Sequence, residues 1–344
     1  MSIAVVGVDL AKNIFHLHAV DRHGAVVFRC ARKRGDWVQN LRERVKPGAV
    51  IAMEACASAH HWGRLLQYHG YTVRLIPGQF VKPFVKSNKN DRVDAEAIAE
   101  AAMRPGMRFV NVKSQRQQDL QALHRVREDL IQQRTAKANQ IRGLSAEYGI
   151  VAPVGLNQLR RAIPEWLEDA SNGLSDLFRQ ILAGLQHDLV ALDQRVEALT
   201  HSIEQAAAKD PVARRLLDLR GVGPLTATAM AIELGDGQQF RRGRDFAASL
   251  GLVPRQHSTG GKTRLLGISK RGDAYTRKLL VHGARAVIRH HKSDEDPLNR
   301  WIDLQMSRKH PNVVSVALAN KTARIAWAIT RGATYQPELA AKAA

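Results

Sequence analysis

A chain of 344 residues with 44% apolar content is too long for one hydrophobic core and too apolar for a disordered protein, so two or three domains with separate cores are expected. Its 52 Lys and Arg outnumber 32 Asp and Glu, giving a net charge of +20, and residues 241–344 alone hold 20 basic against 7 acidic side chains. Such a surface draws polyanions, nucleic acid first. The two cysteines, Cys30 and Cys56, exclude a disulfide framework and a Cys-rich zinc site. No apolar run approaches the ~20 residues of a membrane span, and the N-terminus lacks the basic-then-apolar order of a signal peptide. No membrane partner is expected, and the cytoplasm or nucleoid is the expected address.

The segments IAVVGVDLAK, IFHLHAVD and GAVVFRCAR open the chain, three β-rich stretches separated by turn residues that predict a meander. A helical stretch over 35–45, the strand AVIAMEA, a helix from His60 to His69 and the strand YTVRLIP follow. Three strands and then alternating helices and strands suit an RNase H-like sheet. Asp9 ends the apolar first strand and Glu54 sits inside the apolar fourth. A carboxylate in a buried strand is stable only when paired, protonated or bound to metal. Either the two acids share a site, or each reaches solvent at its strand end and pairs with a nearby base.

In KNDRVDAEAIAEAAM, Val93, Ala97, Ile98 and Ala101 recur at helical spacing, and Asp91 and Asp94 share a face three residues apart. Acids in a first helical turn complement the helix dipole. Carboxylates so placed are also the oxygen ligands that Mg²⁺ takes, leaving room for water and phosphate.

Beyond RFVNVKS, a polar helix over 115–148 carries Leu120, Leu123, Val126, Leu130 and Ile141 on one side. A second helix over about 174–207 carries Leu174, Leu177, Ile181, Leu185, Leu189, Leu192, Val196, Leu199 and Ile203 in steps of three or four, the pattern of a coiled-coil seam. The residues themselves favour two helices packing within one chain. In LLDLRGVGPLTATAMAIELGD, Gly221 and Gly223 lie between two helical segments, as in a helix-hairpin-helix. Either they free backbone amides for a phosphate, or they simply join two packed helices. The segment PRQHSTGGKTRLLGISKRGD is basic and glycine-rich and predicts an exposed loop, with a helix from Tyr275 to His290 behind it. Arg255, Lys262, Arg264, Lys270 and Arg271 are its phosphate-binding candidates. The histidine pairs His60-His61 and His290-His291 are not read as metal ligands, because neighbours on a helix diverge by about 100°.

The segments VGVDLAK, AMEACAS and KNDRVDAEAIAE, followed by GLVPRQHSTGGKTRLLGISKRGD, together resemble the DEDD transposases of the 110 family of insertion sequences, most closely the 1111 subgroup. The resemblance runs in order from about residue 3 to residue 331. It implies a RuvC-like, RNase H-fold domain over 1–113, a helical coiled-coil region over 114–208, a mainly helical C-terminal transposase domain over 209–335 and a tail over 336–344. It makes Asp9, Glu54, Asp91 and Asp94 the catalytic acids and metal ligands, for Mg²⁺ or for Mn²⁺ in its place. It also implies a serine nucleophile in the C-terminal domain, a covalent protein–DNA intermediate, a guide non-coding RNA and assembly as a homodimer or tetramer. Counting from Pro254 points to Thr259 as that nucleophile, and counting back from Ser269-Lys270 points to Ser258. Ser258 is chosen because it is the serine, and His257 is a candidate helper.

The expected function is therefore a DNA transposase or recombinase that cuts and rejoins strands. A RuvC-like junction-resolving nuclease would need the four acids but not Ser258, and a site-specific invertase would share the whole architecture. In a non-catalytic nucleic-acid-binding protein the acids would be structural.

Overall fold

The computed structural model describes residues 2–85, 91–292 and 296–336, apart from the side chain of Asp91. All but Gln336 of the expected tail lies outside these. The chain forms two compact units, residues 1–118 with 235–239, and 119–234 with 240–344.

The first unit is built on a five-stranded sheet. Strands β1 (Val5–Asp9), β2 (Ile14–Val20) and β3 (Val26–Lys33) form the predicted meander. Helix α1 (Trp37–Arg44), strand β4 (Val50–Glu54), helix α2 (Ala59–Tyr68), strand β5 (Thr72–Ile76) and the short helix α3 (Gly78–Val81) follow. Helix α4 spans Asp91–Met103. The strand order is β3-β2-β1-β4-β5, with β1 antiparallel to β2 and parallel to β4, and β4 parallel to β5. That mixed order agrees with the RNase H-like sheet expected.

The sheet is covered on both faces, which explains the nearly unbroken apolar run of β1. On one face Val6, Val8, Leu17, Ile51, Met53 and Leu75 pack with Trp37 and Leu41 of α1 and Trp62 and Leu66 of α2. Phe15, Trp37 and Trp62 meet there edge to face, with ring centroids 5.1–5.4 Å apart. On the other face Val5, Val20, Ala52 and Ile76 pack against Ala97, Ile98, Ala101 and Ala102 of α4. Helix α4 crosses β1 directly above Gly7. A methyl group added there would lie 2.6 Å from the Ala99 backbone nitrogen and 2.9 Å from the Ala99 Cβ, and closer still to the Ala95 carbonyl oxygen. Only glycine allows this approach.

Among the described residues, the second unit is helical apart from one hairpin. Helix α5 (Gln115–Ala146) begins at the end of the first unit, and α6 (Leu156–Glu168) and α7 (Asp176–Lys209) follow. Polar ties between α5 and α7 run in antiparallel order: Arg127 donates to Thr200 at 2.7 Å, Arg134 pairs with Asp193 at 3.1 Å, and Lys137 pairs with Asp188 at 3.0 Å. Ala138 and Ile141 of α5, Leu159 and Ile163 of α6, and Leu174, Phe178, Leu182 and Leu189 close one core. The packed stripe of α7 differs from the one expected. Leu177 and Ile181 are 68% and 45% exposed, and Phe178 and Leu182 replace them inside. Phe178 is larger, and it stacks on Tyr148 at 4.1 Å.

The remaining elements are α8 (Pro211–Leu216), α9 (Pro224–Leu234), α10 (Gly243–Ser249), strands β6 (Pro254–Thr259) and β7 (Lys262–Ile268), α11 (Ala274–His290), α12 (Pro297–Met306) and α13 (Pro311–Thr330). A buried histidine links three of the helices. His124 of α5 meets the Tyr275 hydroxyl through Nδ1 and the Thr228 hydroxyl through Nε2, both at 2.9 Å. Thr228 already donates its proton to the Pro224 carbonyl at 2.7 Å, so Nε2 donates to Thr228, and in the neutral ring Nδ1 then accepts from Tyr275. The neutral ring satisfies both contacts. Burial, and then the charge of Arg127, lower the His124 pKa to about 4, against a smaller opposing effect of Asp273. Among the described residues, no helix is long and apolar enough to cross a membrane.

Candidate active site

The strand register carries the first two acids to one place. Gly7 pairs with Ala52 in the parallel β1–β4 ladder, and Val8 pairs with Met53, so Asp9 and Glu54 each end their strand one step further on. Successive side chains alternate faces, which puts Asp9 on the face of Val5 and Gly7 and puts Glu54 on the face of Ala52. That face is the one α4 covers. Both acids are half-buried, at the carboxyl ends of parallel strands, where open α/β sheets place their ligands. The chain bends sharply after β4, where the Cys56 amide reaches the Glu54 carbonyl at 2.8 Å.

The Glu54 carboxylate lies against Gly78, where an added Cβ would come 2.5 Å from Oε1. The Cys56 thiol is pushed up by burial first, then by the charges of Glu54 and Asp9, so both carboxylates act on the same small volume. Asp94 is half-buried on α4, one residue before Ala95, whose carbonyl bears on Gly7. Asp91 is the first residue of α4, and its side chain lies outside the described residues.

Carboxylates are hard oxygen donors, the kind that Mg²⁺ or Mn²⁺ takes rather than a softer ion. Among the described residues, no three acidic, histidine or cysteine side chains stand close enough to hold an ion. The backbone thus gathers the segments that carry the acids, but the described side chains do not form a closed ligand shell. Sequence reasoning passed over His16, which pairs with Asp9 across β1–β2 and shares its face. The alternation of IFHLHAV carried that signal. His18, two residues on, is buried and accepts from Arg29 at 3.2 Å, and Arg29 in turn pairs with Glu96 of α4 at 3.2 Å.

In the second unit, the segment expected to be a loop is a two-stranded ribbon. Thr259 pairs with Lys262, Ser258 with Thr263, His257 with Arg264 and Gln256 with Leu265. Gly260 and Gly261 both have positive φ, 54° and 76°, as a two-residue type I′ turn requires. All of β6 and most of β7 are exposed, so no apolar alternation marked the strands in the sequence. Exposure itself was expected. The root is fixed by the Ser269 amide bonding the Val253 carbonyl at 2.8 Å and by Arg277 donating to the Leu250 carbonyl at 2.8 Å.

Arg255, Lys262 and Arg264 lie on the ribbon, while Lys270 and Arg271 follow it at the root, Lys270 with a φ of 55°. Ser258 and Thr259, as strand neighbours, point to opposite faces. The Ser258 hydroxyl accepts a bond from Gln256 Nε2 at 2.7 Å. Gln256 was not among the candidates, since its contact depends on a strand the sequence did not reveal.

The turn between α8 and α9 separates the two glycines. Gly221 has a φ of 77° and abuts the backbone of Gly283 in α11; a Cβ on it would lie 2.7 Å from the Gly283 carbonyl oxygen. The absence of a side chain permits this close packing. Gly223 faces open space. Arg220 fixes this turn through a two-pronged pair with Asp296, at 2.7 and 3.0 Å. The histidine pairs have local partners: His60 Nδ1 accepts from the Lys113 amide at 3.1 Å, and His291 Nε2 lies 2.9 Å from Asp303.

Comparison with known proteins adds a second line. Residues 6–149 match a DEDD family described as "Transposase", and residues 213–298 match the family described as "Transposase IS116/IS110/IS902 family". The chain is 48% identical over 339 residues to a Pseudomonas aeruginosa protein named "Probable family 20 transposase", covering 98% of this chain and 100% of that one. It is 42% identical to the Yersinia enterocolitica "Transposase for insertion sequence element IS1328", over 97% of this chain and 98% of that one. It is 43% identical to the Coxiella burnetii "Transposase for insertion sequence element IS1111A", over 97% and 92% of the two chains.

Proposed function

The chain belongs to the IS116/IS110/IS902 family of transposases, and on that footing we propose that it cuts and rejoins the DNA strands of an insertion sequence through a metal site at Asp9, Glu54, Asp91 and Asp94, with Ser258 as nucleophile. The observation that carries the first half is the register that ends β1 and β4 together under α4, which supports one shared site for acids distant in sequence.

Mg²⁺, or Mn²⁺ in its place, would be held by the four carboxylates and would neutralise charge on the attacking and leaving oxygens. The chain's own contributions are separable. Gly7 seats α4 and so positions Asp94, and Gly78 leaves room for the Glu54 carboxylate. Ser258 attacks the phosphodiester, and the exposed ribbon brings Arg255, Lys262 and Arg264 to the phosphate backbone, with Lys270 and Arg271 at its root. Gly223, open at the start of α9, admits a phosphate to the helix N-terminus. Gly221 packs against the Gly283 backbone and, with Gly223, lets the turn present backbone amides to a phosphate. A non-coding RNA of the element guides the protein to its DNA, and a homodimer or tetramer acts, in the cytoplasm at the nucleoid.

The test is to trap the covalent adduct on a nicked suicide duplex carrying the element end and to map it. An adduct at Ser258, lost in Ser258→Ala with DNA binding retained, is the expected result. Cleavage that survives Ser258→Ala with no adduct overturns the serine and leaves a RuvC-like junction nuclease.

A further inference from the structure

Opposed residues of an antiparallel pair share a face, and successive residues change face. The register of the ribbon therefore sets His257, Thr259, Lys262 and Arg264 on one side and Gln256, Ser258, Thr263 and Leu265 on the other. All eight are exposed. The first side holds two permanent cations, a histidine and no acid. The other four carry no charge, and Arg255 sits at the register shift between Pro254 and Gln256.

The bond from Gln256 Nε2 to Ser258 Oγ, 2.7 Å, lies on the uncharged side. A hydroxyl has one proton and two lone pairs. An amide N–H filling one lone pair leaves the other for attack and leaves the O–H to be given up. The same bond strengthens as negative charge grows on the oxygen, so it favours the attacking form. Thr259 lies on the cationic side. Faces of a ribbon point in opposite directions, which places Lys262 and Arg264 to hold a phosphate other than the one that Ser258 attacks.

We propose that the two faces of the β6–β7 ribbon divide the work: Lys262 and Arg264 hold backbone phosphates, while Gln256 is a positioning residue that orients Ser258 toward the scissile phosphodiester. This rests on the reading of Ser258 as nucleophile. In the step served, the Ser258 proton passes to water and the Oγ–P bond forms. The bond from phosphorus to one bridging strand oxygen breaks, and that oxygen takes up a proton and leaves as a free hydroxyl.

The experiment uses the full chain, the nicked suicide duplex and the RNA transcribed from the element, and it measures affinity across salt and single-turnover adduct formation. Gln256→Ala is expected to keep its affinity within about twofold and to form adduct about 10- to 100-fold more slowly. That deficit should appear in the single-turnover rate at saturating duplex and not in affinity. Gln256→Asn, which keeps an amide donor on a shorter arm, should recover part of the rate lost in Gln256→Ala. Lys262→Ala with Arg264→Ala should instead weaken binding and flatten the salt dependence by about one unit of slope per lost contact. Wild-type adduct rates in Gln256→Ala, with Ser258→Ala inactive, overturn the role of Gln256 and leave the nucleophile standing. A deficit in Gln256→Ala that lies in affinity and vanishes at saturating duplex also overturns it. An adduct that maps to Thr259 overturns the nucleophile reading itself and is recognised by its position.

Discussion

Replacing Gly7 by Ala tests whether α4 sits on β1 closely enough to hold Asp94 at the end of the strand that carries Asp9. The new methyl would lie 2.6 Å from the Ala99 nitrogen and 2.9 Å from the Ala99 Cβ, where ordinary contact begins at 3.4 Å. The obstructing atoms are backbone and a methyl group, so no side chain can swing away and the helix must lift, by roughly 0.5–1 Å. Overpacking of this kind costs about 1–3 kcal/mol, or about 4 °C of melting temperature per kcal/mol in a unit this size. Misplacing a catalytic group by about 1 Å slows chemistry by about 100-fold. The expected variant is therefore folded at 25 °C, melts roughly 4–12 °C lower, and cleaves DNA about two orders of magnitude more slowly. Calorimetry and single-turnover cleavage measure the two effects. Gly184→Ala serves as the control, since Gly184 is an exposed helical position with open space around it, and it should gain about 0.5–1 kcal/mol. A Gly7→Ala protein with unchanged melting and cleavage would refute the seating of α4.

His124 makes stability depend on pH. Its folded pKa of about 4 lies below the ordinary 6.5, so the unfolded chain takes up the proton first as pH falls. The contribution is complete above pH 6.5 and is lost as pH drops toward 4. Wild type should lose about 2.5 kcal/mol relative to His124→Gln between pH 7.5 and 4.5, measured by urea unfolding at each pH; parallel curves for the two proteins would exclude it. The two turn glycines should also separate. Gly221→Ala, with its positive φ and the Gly283 backbone behind it, should lose about 2–3 kcal/mol or more of stability. Gly223→Ala should melt as wild type and bind DNA more weakly, and unchanged binding would remove the phosphate from that turn.

The parts of the fold that announce themselves in the sequence are those whose burial is periodic. The apolar run of β1, the strands around Glu54 and Leu75, and the amphipathic helix from Asp91 are all legible because each buries one face or two against a core. The acids stood out for the same reason, as charges in otherwise apolar strands. The ribbon was hidden because both of its faces are exposed, so its strands show no hydrophobic alternation, and only Gly260-Gly261 hinted at a turn. Gln256 was hidden with it. On α7 the expected stripe ran through Leu177 and Ile181, because several apolar residues there satisfy helical spacing. The stacking of Phe178 on Tyr148 decides which of them faces inward. Gly7 needed the structure as well, since its reason is a helix more than 80 residues away in sequence.

The most direct test of the central claim is single-turnover strand cleavage by wild type, Asp9→Asn, Glu54→Gln and Asp94→Asn, titrated with Mg²⁺ and with Mn²⁺ on the same DNA. Wild type is predicted to cleave only when a divalent ion is supplied, and each acid variant to bind DNA as wild type while losing at least about 100-fold in rate. Cleavage at the wild-type rate by Asp9→Asn or Asp94→Asn would contradict the acidic site.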